Sequence, residues 1–130
     1  MGAGGYRYDS IFPRERFVQD ALERHFAARG FLIDAAGTID LKCSHPETRE
    51  RWQIEAKGAT TQCGLDFRTG LGQLVQRMED KDVIHAIAMP DLKQFRIQAA
   101  TVAPWVVKAL NMRWLLVSED GAVREWQSDR

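Results

Sequence analysis

Asp40, Glu55 and Lys57 are the residues of this chain whose types and spacing could support catalysis. Glu55 and Lys57 are two residues apart in the segment WQIEAK, so in a β-strand their side chains would point to the same face, about 6.6–6.8 Å apart. If the segment through Asp40 forms the neighbouring strand, a second carboxylate comes next to Glu55. Two carboxylates so close together repel each other unless a cation lies between them, and hard oxygen ligands suit Mg²⁺ or Mn²⁺. The spacing therefore predicts a divalent-cation site with an ammonium group beside it.

Such a site would have the chemistry that hydrolysis of a phosphodiester bond requires. A hydrated divalent ion acidifies a bound water, orients it and neutralises the phosphate. The ammonium group of Lys57 can position that water or stabilise charge on the phosphorane-like transition state. A glutamate and a lysine two residues apart also occur by chance on solvent-exposed strands, so an unrelated surface pair remains an alternative at this point.

The elements that would position these residues follow from hydrophobic periodicity and from turn residues. A helix is predicted over residues 14–30, where apolar residues recur at a spacing near 3.6 and Gly30 supplies the end. Residues 38–43 and 51–57 are predicted to pair as an antiparallel hairpin around a polar loop. The nearly continuous apolar run at 83–89 is typical of a strand that is buried on both faces. The other predicted elements are a short apolar strand at 31–35 before a turn at Gly37, helices at 70–79 and 93–110 with a break at Pro104, and strands at 113–118 and 122–126.

The order and spacing of these motifs resemble the PD-(D/E)xK, or restriction-endonuclease-like, nuclease superfamily. Its core is αβββαβ, with an acidic residue on the second strand and ExK on the third. The matching residues are Asp40 in GTIDLK, Glu55 and Lys57 in WQIEAKG, and Gln73 in GLGQLVQRM; Ile39 stands where the family has proline. The resemblance implies an α/β fold with a mixed central sheet flanked by helices, a Mg²⁺ or Mn²⁺ cofactor and nuclease activity. Within the superfamily, the chain looks most like the Holliday-junction-resolvase and Mrr-like branches.

The resemblance also assigns roles to residues on the two helices. Glu15 holds the position of a glutamate that approaches the metal in many members, which makes it a candidate ligand. Gln73 would hold a water or Lys57, and Arg77, four residues further along the same helix face, would contact a phosphate. Each of these three helix residues could instead be an ordinary solvent-exposed side chain. The remaining candidates for phosphate contact are Arg68 and Lys42.

Length and composition limit the class of protein. A chain of 130 residues, 45% hydrophobic and 28% charged, is typical of a single globular domain, here expected to span residues 1–130. No apolar run approaches the roughly 20 residues of a membrane-spanning helix, and the N-terminus lacks the apolar region of a signal peptide. We therefore expect a soluble cytoplasmic protein with no membrane partner. Cys43 and Cys63 form no CxxC pair and are expected to be reduced thiols.

The charge balance limits the mode of nucleic-acid binding. The chain has 18 basic and 18 acidic residues, and residues 41–81 contain seven basic and six acidic ones. Because nonspecific affinity for nucleic acid grows with each phosphate that is neutralised, a monomer should bind weakly. A homodimer, or a fused or partner DNA-binding module, would supply further contacts.

Three functions fit this sequence. The leading one is a Mg²⁺-dependent nuclease that acts on DNA. The second is a catalytically silent domain of the same fold that binds nucleic acid or a protein, although the intact Asp40, Glu55 and Lys57 set argues against it. The third is an unrelated small α/β binding protein, which a metal titration would distinguish from the other two.

Overall fold

A six-stranded mixed sheet forms the centre of the structure, a computed structural model that describes residues 10–34 and 40–129. The strands are β1 (Leu32–Asp34), β2 (Leu41–Ser44), β3 (Arg51–Ala56), β4 (Ile84–Pro90), β5 (Met112–Val117) and β6 (Val123–Trp126). The helices are α1 (Glu15–Ala28), α2 (Cys63–Gln76), α3 (Lys93–Ala100) and α4 (Pro104–Ala109). None of the helices among these residues is long and apolar enough to cross a membrane.

The strands lie in the sheet in the order in which they occur along the chain. β3 pairs in parallel with β4, and β4 with β5, whereas β1–β2, β2–β3 and β5–β6 are antiparallel. Crossovers between parallel strands are right-handed, and both crossovers here move in the same direction across the sheet. As a result α2 and α3 pack on one face, and α1 packs on the other. The fold is therefore α/β, with a mixed sheet flanked by helices.

Helix α1 is held to the sheet by one apolar stripe. Val18, Ala21, Leu22 and Phe26 are buried at helical spacing, as the periodicity predicted. Full burial of a Val, Leu or Phe side chain contributes about 1.5–3 kcal/mol, so this stripe fixes the helix firmly. The helix ends before Gly30, whose φ of +86° is a conformation that glycine adopts without strain.

Strand β3 is central, and both of its faces are covered. Trp52, Ile54 and Ala56 belong to the core beneath α1, while Gln53 and Glu55 point to the α2 face. The alternation predicted for WQIEAK is therefore observed. Because a helix covers each face, the two polar side chains are buried as well.

The bounds of α2 differ from the prediction. The helix spans Cys63–Gln76, whereas the sequence predicted residues 70–79. Phe67, Gly70 and Leu74 are its buried residues, so the apolar face extends a full turn before Gly70. Gly70, where the predicted helix began, lies mid-helix against the side chain of Lys57.

The other elements lie close to their predicted positions, with shifts at their ends. The predicted helix at 93–110 is two helices, and Pro104 begins the second, where a missing N–H costs nothing. Strand β2 begins at Leu41 rather than at residue 38, so Asp40 precedes the strand. The predicted turn at Gly37, the end of the 31–35 strand, and Thr38 and Ile39 lie outside the described residues.

Candidate active site at the end of strand β3

Asp40 and Glu55 lie side by side at the end of the sheet where β2 begins and β3 ends. Leu41 pairs with Ile54 in the antiparallel ladder, so one step further along Asp40 stands opposite Glu55. Asp40 Oδ2 accepts a hydrogen bond from the backbone N–H of Ala56 at 2.9 Å. The negative charge of Asp40 is close enough to raise the pKa of Glu55. The structure therefore brings together the two acids that the sequence predicted to converge.

Glu55 is buried, and this governs its ionisation. The residue is 1% exposed, and burial is the main reason why its pKa is raised above the ordinary value. A hydrogen bond from Arg77 opposes that rise in pKa, and the nearby charge of Asp40 adds to it. Two bare carboxylates side by side repel each other, and a proton on one of them removes that repulsion. A metal cation would meet the same electrostatic need.

Arg77 contacts Glu55 directly. Its Nη1 donates to Glu55 Oε1 at 2.5 Å, and its backbone carbonyl accepts a hydrogen bond from Gln53 Nε2 at 3.0 Å. A buried carboxylate without a partner is strongly destabilising, which explains the ion pair. The sequence predicted that Arg77 contacts a phosphate, but the structure pairs it with a site carboxylate.

Lys57 lies directly after β3 and packs against α2. Its backbone N–H donates to the carbonyl of Ala88 at 2.9 Å, which continues the pairing with β4. Its aliphatic chain crosses Gly70, where an added Cβ would be only 2.8 Å from Lys57 Cγ. Gly70 therefore leaves the space that the lysine side chain occupies. Lys57 and Glu55 both face α2, as a spacing of two residues predicted.

Glu15, in the first turn of α1, lies within electrostatic reach of this group. Partial burial of its carboxyl group raises its pKa; the charge of Lys57 lowers it, and those of Asp40 and Asp66 raise it further. The start of α1 is fixed at the end of β3, because the N–H of Ala59 donates to the carbonyl of Pro13 at 2.8 Å. The structure thus brings Glu15 into the neighbourhood of the predicted site.

One face of α2 carries a row of residues toward the site. Asp66, Gly70, Gln73 and Arg77 are spaced by four, three and four residues, which places them on the same side of a helix. Gly70 touches Lys57 and Arg77 binds Glu55. Gln73 is partly buried between them in this row, and its role remains a prediction.

The sequence reasoning did not select two residues that the structure adds. Asp66 contributes to the field at Glu15, and its Oδ2 accepts hydrogen bonds from Thr60, with 2.7 Å to the hydroxyl oxygen. Gln19 Nε2 donates to the backbone carbonyl of Asp40 at 2.6 Å and so holds the residue that precedes β2. The available signal was helical spacing, since Gln19 is four residues after Glu15, and Asp66 is four before Gly70.

The two other predicted phosphate contacts have different positions. Lys42 is exposed on β2 opposite Gln53, on the same sheet face as Glu55, so it lies near the site. Arg68 is on the opposite side of α2 from Gly70 and Arg77, with its guanidinium group near Gly64 and Gln98. Arg68 does not belong to the site, because a residue two positions from Gly70 points away from its face.

The donor atoms fit a magnesium-like ion that uses few protein ligands. Within residues 10–34 and 40–129, no group of three or more His, Cys, Asp or Glu side chains is close enough to hold a metal. Asp40 and Glu55 nevertheless provide two neighbouring carboxyl groups, at the start of β2 and the end of β3. Because Mg²⁺ keeps several waters and binds proteins through one or two carboxylates, this pair suffices. The place of Glu15 as a direct ligand is not supported by the described geometry.

The cavities do not coincide with the carboxyl pair. The largest one described, about 500 Å³, lies on the same face of the sheet but toward β5 and β6, and it is lined by residues such as Pro104, Trp114 and Trp126. A cleft of about 320 Å³ runs along β2 and β3 past Lys42 and Gln53. The larger cavity is lined mainly by apolar surface. The carboxyl pair brings ionisable groups together and is therefore the better candidate for an active site.

Comparisons of the chain with protein-family models, with curated proteins and with solved structures found no match.

Proposed function

We propose that this chain is a Mg²⁺- or Mn²⁺-dependent nuclease that hydrolyses phosphodiester bonds in DNA. The observation that supports this most is the position of Asp40 opposite Glu55, with Lys57 on the same face two residues further along. Paired oxygen donors beside an ammonium group are the components that phosphoryl chemistry requires.

The connectivity of the elements supports the same proposal. From α1 to β4 the chain runs αβββαβ, which is the core order of the PD-(D/E)xK superfamily. The acidic residue stands at the start of the second strand, and the ExK segment ends the third. The proposal assigns the restriction-endonuclease-like core on this order and on the position of the three residues.

Each residue would have a distinct role. Asp40 and Glu55 would hold the ion, and the ion when bound would supply positive charge and Lewis acidity at the scissile phosphate. Lys57 would stabilise the charge that develops on the phosphate oxygens, and Gln73 would orient Lys57 or the attacking water. Glu15 would interact with Lys57 through its negative charge.

The alternative is a catalytically silent domain of this fold that binds nucleic acid or a protein. The Arg77–Glu55 ion pair is the observation that favours it, since a guanidinium group occupies one oxygen of a proposed ligand. In a silent domain the ion pair between Arg77 and Glu55 would be permanent, and a divalent ion would have no role in its function.

The test is incubation with branched, single-stranded and duplex DNA, and with RNA, each with and without Mg²⁺ or Mn²⁺. We expect cleavage of a DNA substrate that requires the metal and is lost in Asp40→Asn. Asp34→Asn serves as a control, because Asp34 lies on the neighbouring strand β1. Binding without cleavage under every metal condition would support the silent domain instead.

A further inference from the structure

We propose that Arg77 is a metal-released phosphate clamp: it neutralises Glu55 while no cation is bound, and it turns to the substrate phosphate when a divalent cation takes Glu55. This inference rests on the proposed function and deepens it, because it adds a coupling between metal binding and substrate binding at the same site. In this coupling Arg77 responds to the binding of a divalent cation and then binds a phosphodiester.

The geometry fixes Arg77 to the strand that carries Glu55. Its side chain holds Glu55 Oε1 at 2.5 Å, and its backbone carbonyl is held by Gln53, two residues earlier on β3. Arg77 is also the residue that ends α2, immediately after Gln76. The backbone of Arg77 is therefore anchored, and the change that we propose is confined to its side chain.

Exposure of the two partners differs, which gives the side chain a direction in which to move. The side chain of Glu55 is 1% exposed, and that of Arg77 is 30% exposed. The guanidinium group therefore lies between the buried carboxyl group and solvent. A planar guanidinium group can bind two oxygens of a phosphate as readily as those of a carboxylate.

Electrostatics make the ion pair and the metal mutually unfavourable. A divalent cation on Glu55 would stand a few ångströms from the positive charge of Arg77, and like charges at that distance repel. The cation would also satisfy the carboxylate that Arg77 now neutralises. Metal binding therefore removes the attraction that holds Arg77 and adds a repulsion, and a phosphate supplies the nearest replacement charge.

The first experiment measures metal affinity by calorimetry at pH 8 for the wild type, Arg77→Gln and the control Arg68→Gln. Arg68 is on the opposite side of the same helix, so its loss changes the net charge equally without touching Glu55. We expect Arg77→Gln to bind Mg²⁺ about tenfold or more tightly than the wild type, since one charge a few ångströms from a divalent ion is removed. Arg68→Gln should bind Mg²⁺ like the wild type.

The second experiment measures DNA affinity over a range of salt concentrations, with Ca²⁺ and without a divalent ion. With Ca²⁺, Arg77→Gln should bind DNA more weakly than the wild type, and its salt dependence should be reduced by about one phosphate contact. Without a divalent ion the two should bind alike, because Glu55 then holds Arg77. A purely structural ion pair would not produce this dependence on the metal.

A measurement on the unmutated protein covers the case in which Arg77→Gln does not fold. The NMR signals of the Arg77 guanidinium group should change from slow to fast hydrogen exchange with solvent as Mg²⁺ is added. Signals that stay unchanged while Mg²⁺ binds, or equal metal affinity in Arg77→Gln and the wild type, would overturn the clamp and leave the metal site standing. No Mg²⁺ binding by any variant would overturn both the clamp and the proposed function.

Discussion

At the scale of single residues, Glu55 determines how the site responds to pH. Its pKa is raised mainly by burial, so the folded protein holds this proton more tightly than the unfolded chain does. The protonated Glu55 contributes to the free energy of unfolding, and this contribution is fully present below the ordinary pKa of 4.5. The contribution is lost as the pH rises through the raised pKa of the folded protein.

Glu55→Gln should remove this loss, because glutamine is neutral at every pH and has nearly the same shape as glutamate. Without divalent ions, we expect the variant to melt at a higher temperature than the wild type at pH 8. The difference should shrink as the pH is lowered toward 4.5. Melting curves by circular dichroism would measure this, with Glu47→Gln, an exposed loop residue, as the control. Equal melting temperatures of the wild type and Glu55→Gln at both ends of the pH range would mean that the charge of Glu55 does not destabilise the folded protein.

Asp40 gives a second prediction at this scale, since it is the less buried of the two acids. Mg²⁺ that binds only the folded state should raise the melting temperature of the wild type by mass action. Asp40→Asn removes one ligand charge, so millimolar Mg²⁺ should leave its melting temperature unchanged. Calorimetric titration should show the matching loss of affinity. A variant that is stabilised by Mg²⁺ as much as the wild type would place the ion elsewhere.

At the scale of elements, α2 leaves space for the side chain of Lys57 at a glycine. An added methyl group at Gly70 would lie 2.8 Å from Lys57 Cγ, whereas at Gly72 nothing lies within 4 Å. Both positions are inside the helix, where alanine is favoured over glycine by about 1 kcal/mol. The two glycines therefore form a matched pair that separates helix stability from the position of Lys57.

Gly72→Ala should stabilise the protein by up to about 1 kcal/mol and leave cleavage unchanged. Gly70→Ala should displace Lys57 and slow cleavage by about tenfold or more, because small misplacements of catalytic groups are costly. Urea unfolding and single-turnover cleavage measure the two effects. Cleavage by Gly70→Ala at the wild-type rate would show that the position of the Lys57 ammonium group does not depend on the space at Gly70.

The elements also show what the sequence could predict. Local periodicity was sufficient for α1, for the alternation of β3 and for the buried strand β4, because each buries a regular set of apolar residues. Local periodicity did not predict the start of α2. The glycine at position 70 lies inside this helix because it contacts Lys57, thirteen positions away in the chain. The pairing of Arg77 with Glu55 was also missed, since it depends on how far β3 is buried beneath α2.

At the scale of the whole molecule, a neutral chain that cleaves DNA, as we propose, would have to attract it through local charge. Arg96 and Arg124 both bind Asp91, which follows β4 at the same end of the sheet as Lys57. This cluster carries a formal charge of +1, but the carboxyl groups of Glu15, Asp40 and Glu55 lie at the same end. Few such contacts are available to one chain, so DNA affinity should be weak and its salt dependence shallow. A second copy of the chain or a DNA-binding module would increase both.

The most direct test of the nuclease proposal is single-turnover DNA cleavage by the wild type and Lys57→Ala, beside binding titrations in Ca²⁺. An ammonium group does not ligate Mg²⁺, so the variant should bind the metal as well as the wild type or better. DNA affinity should fall only by about one phosphate contact. The cleavage rate should fall by roughly 10²-fold or more, as when one charge-stabilising donor is removed from an active site. Cleavage by Lys57→Ala at the wild-type rate would contradict the proposal, because Glu55 and Lys57 would then be no more than neighbours on one strand.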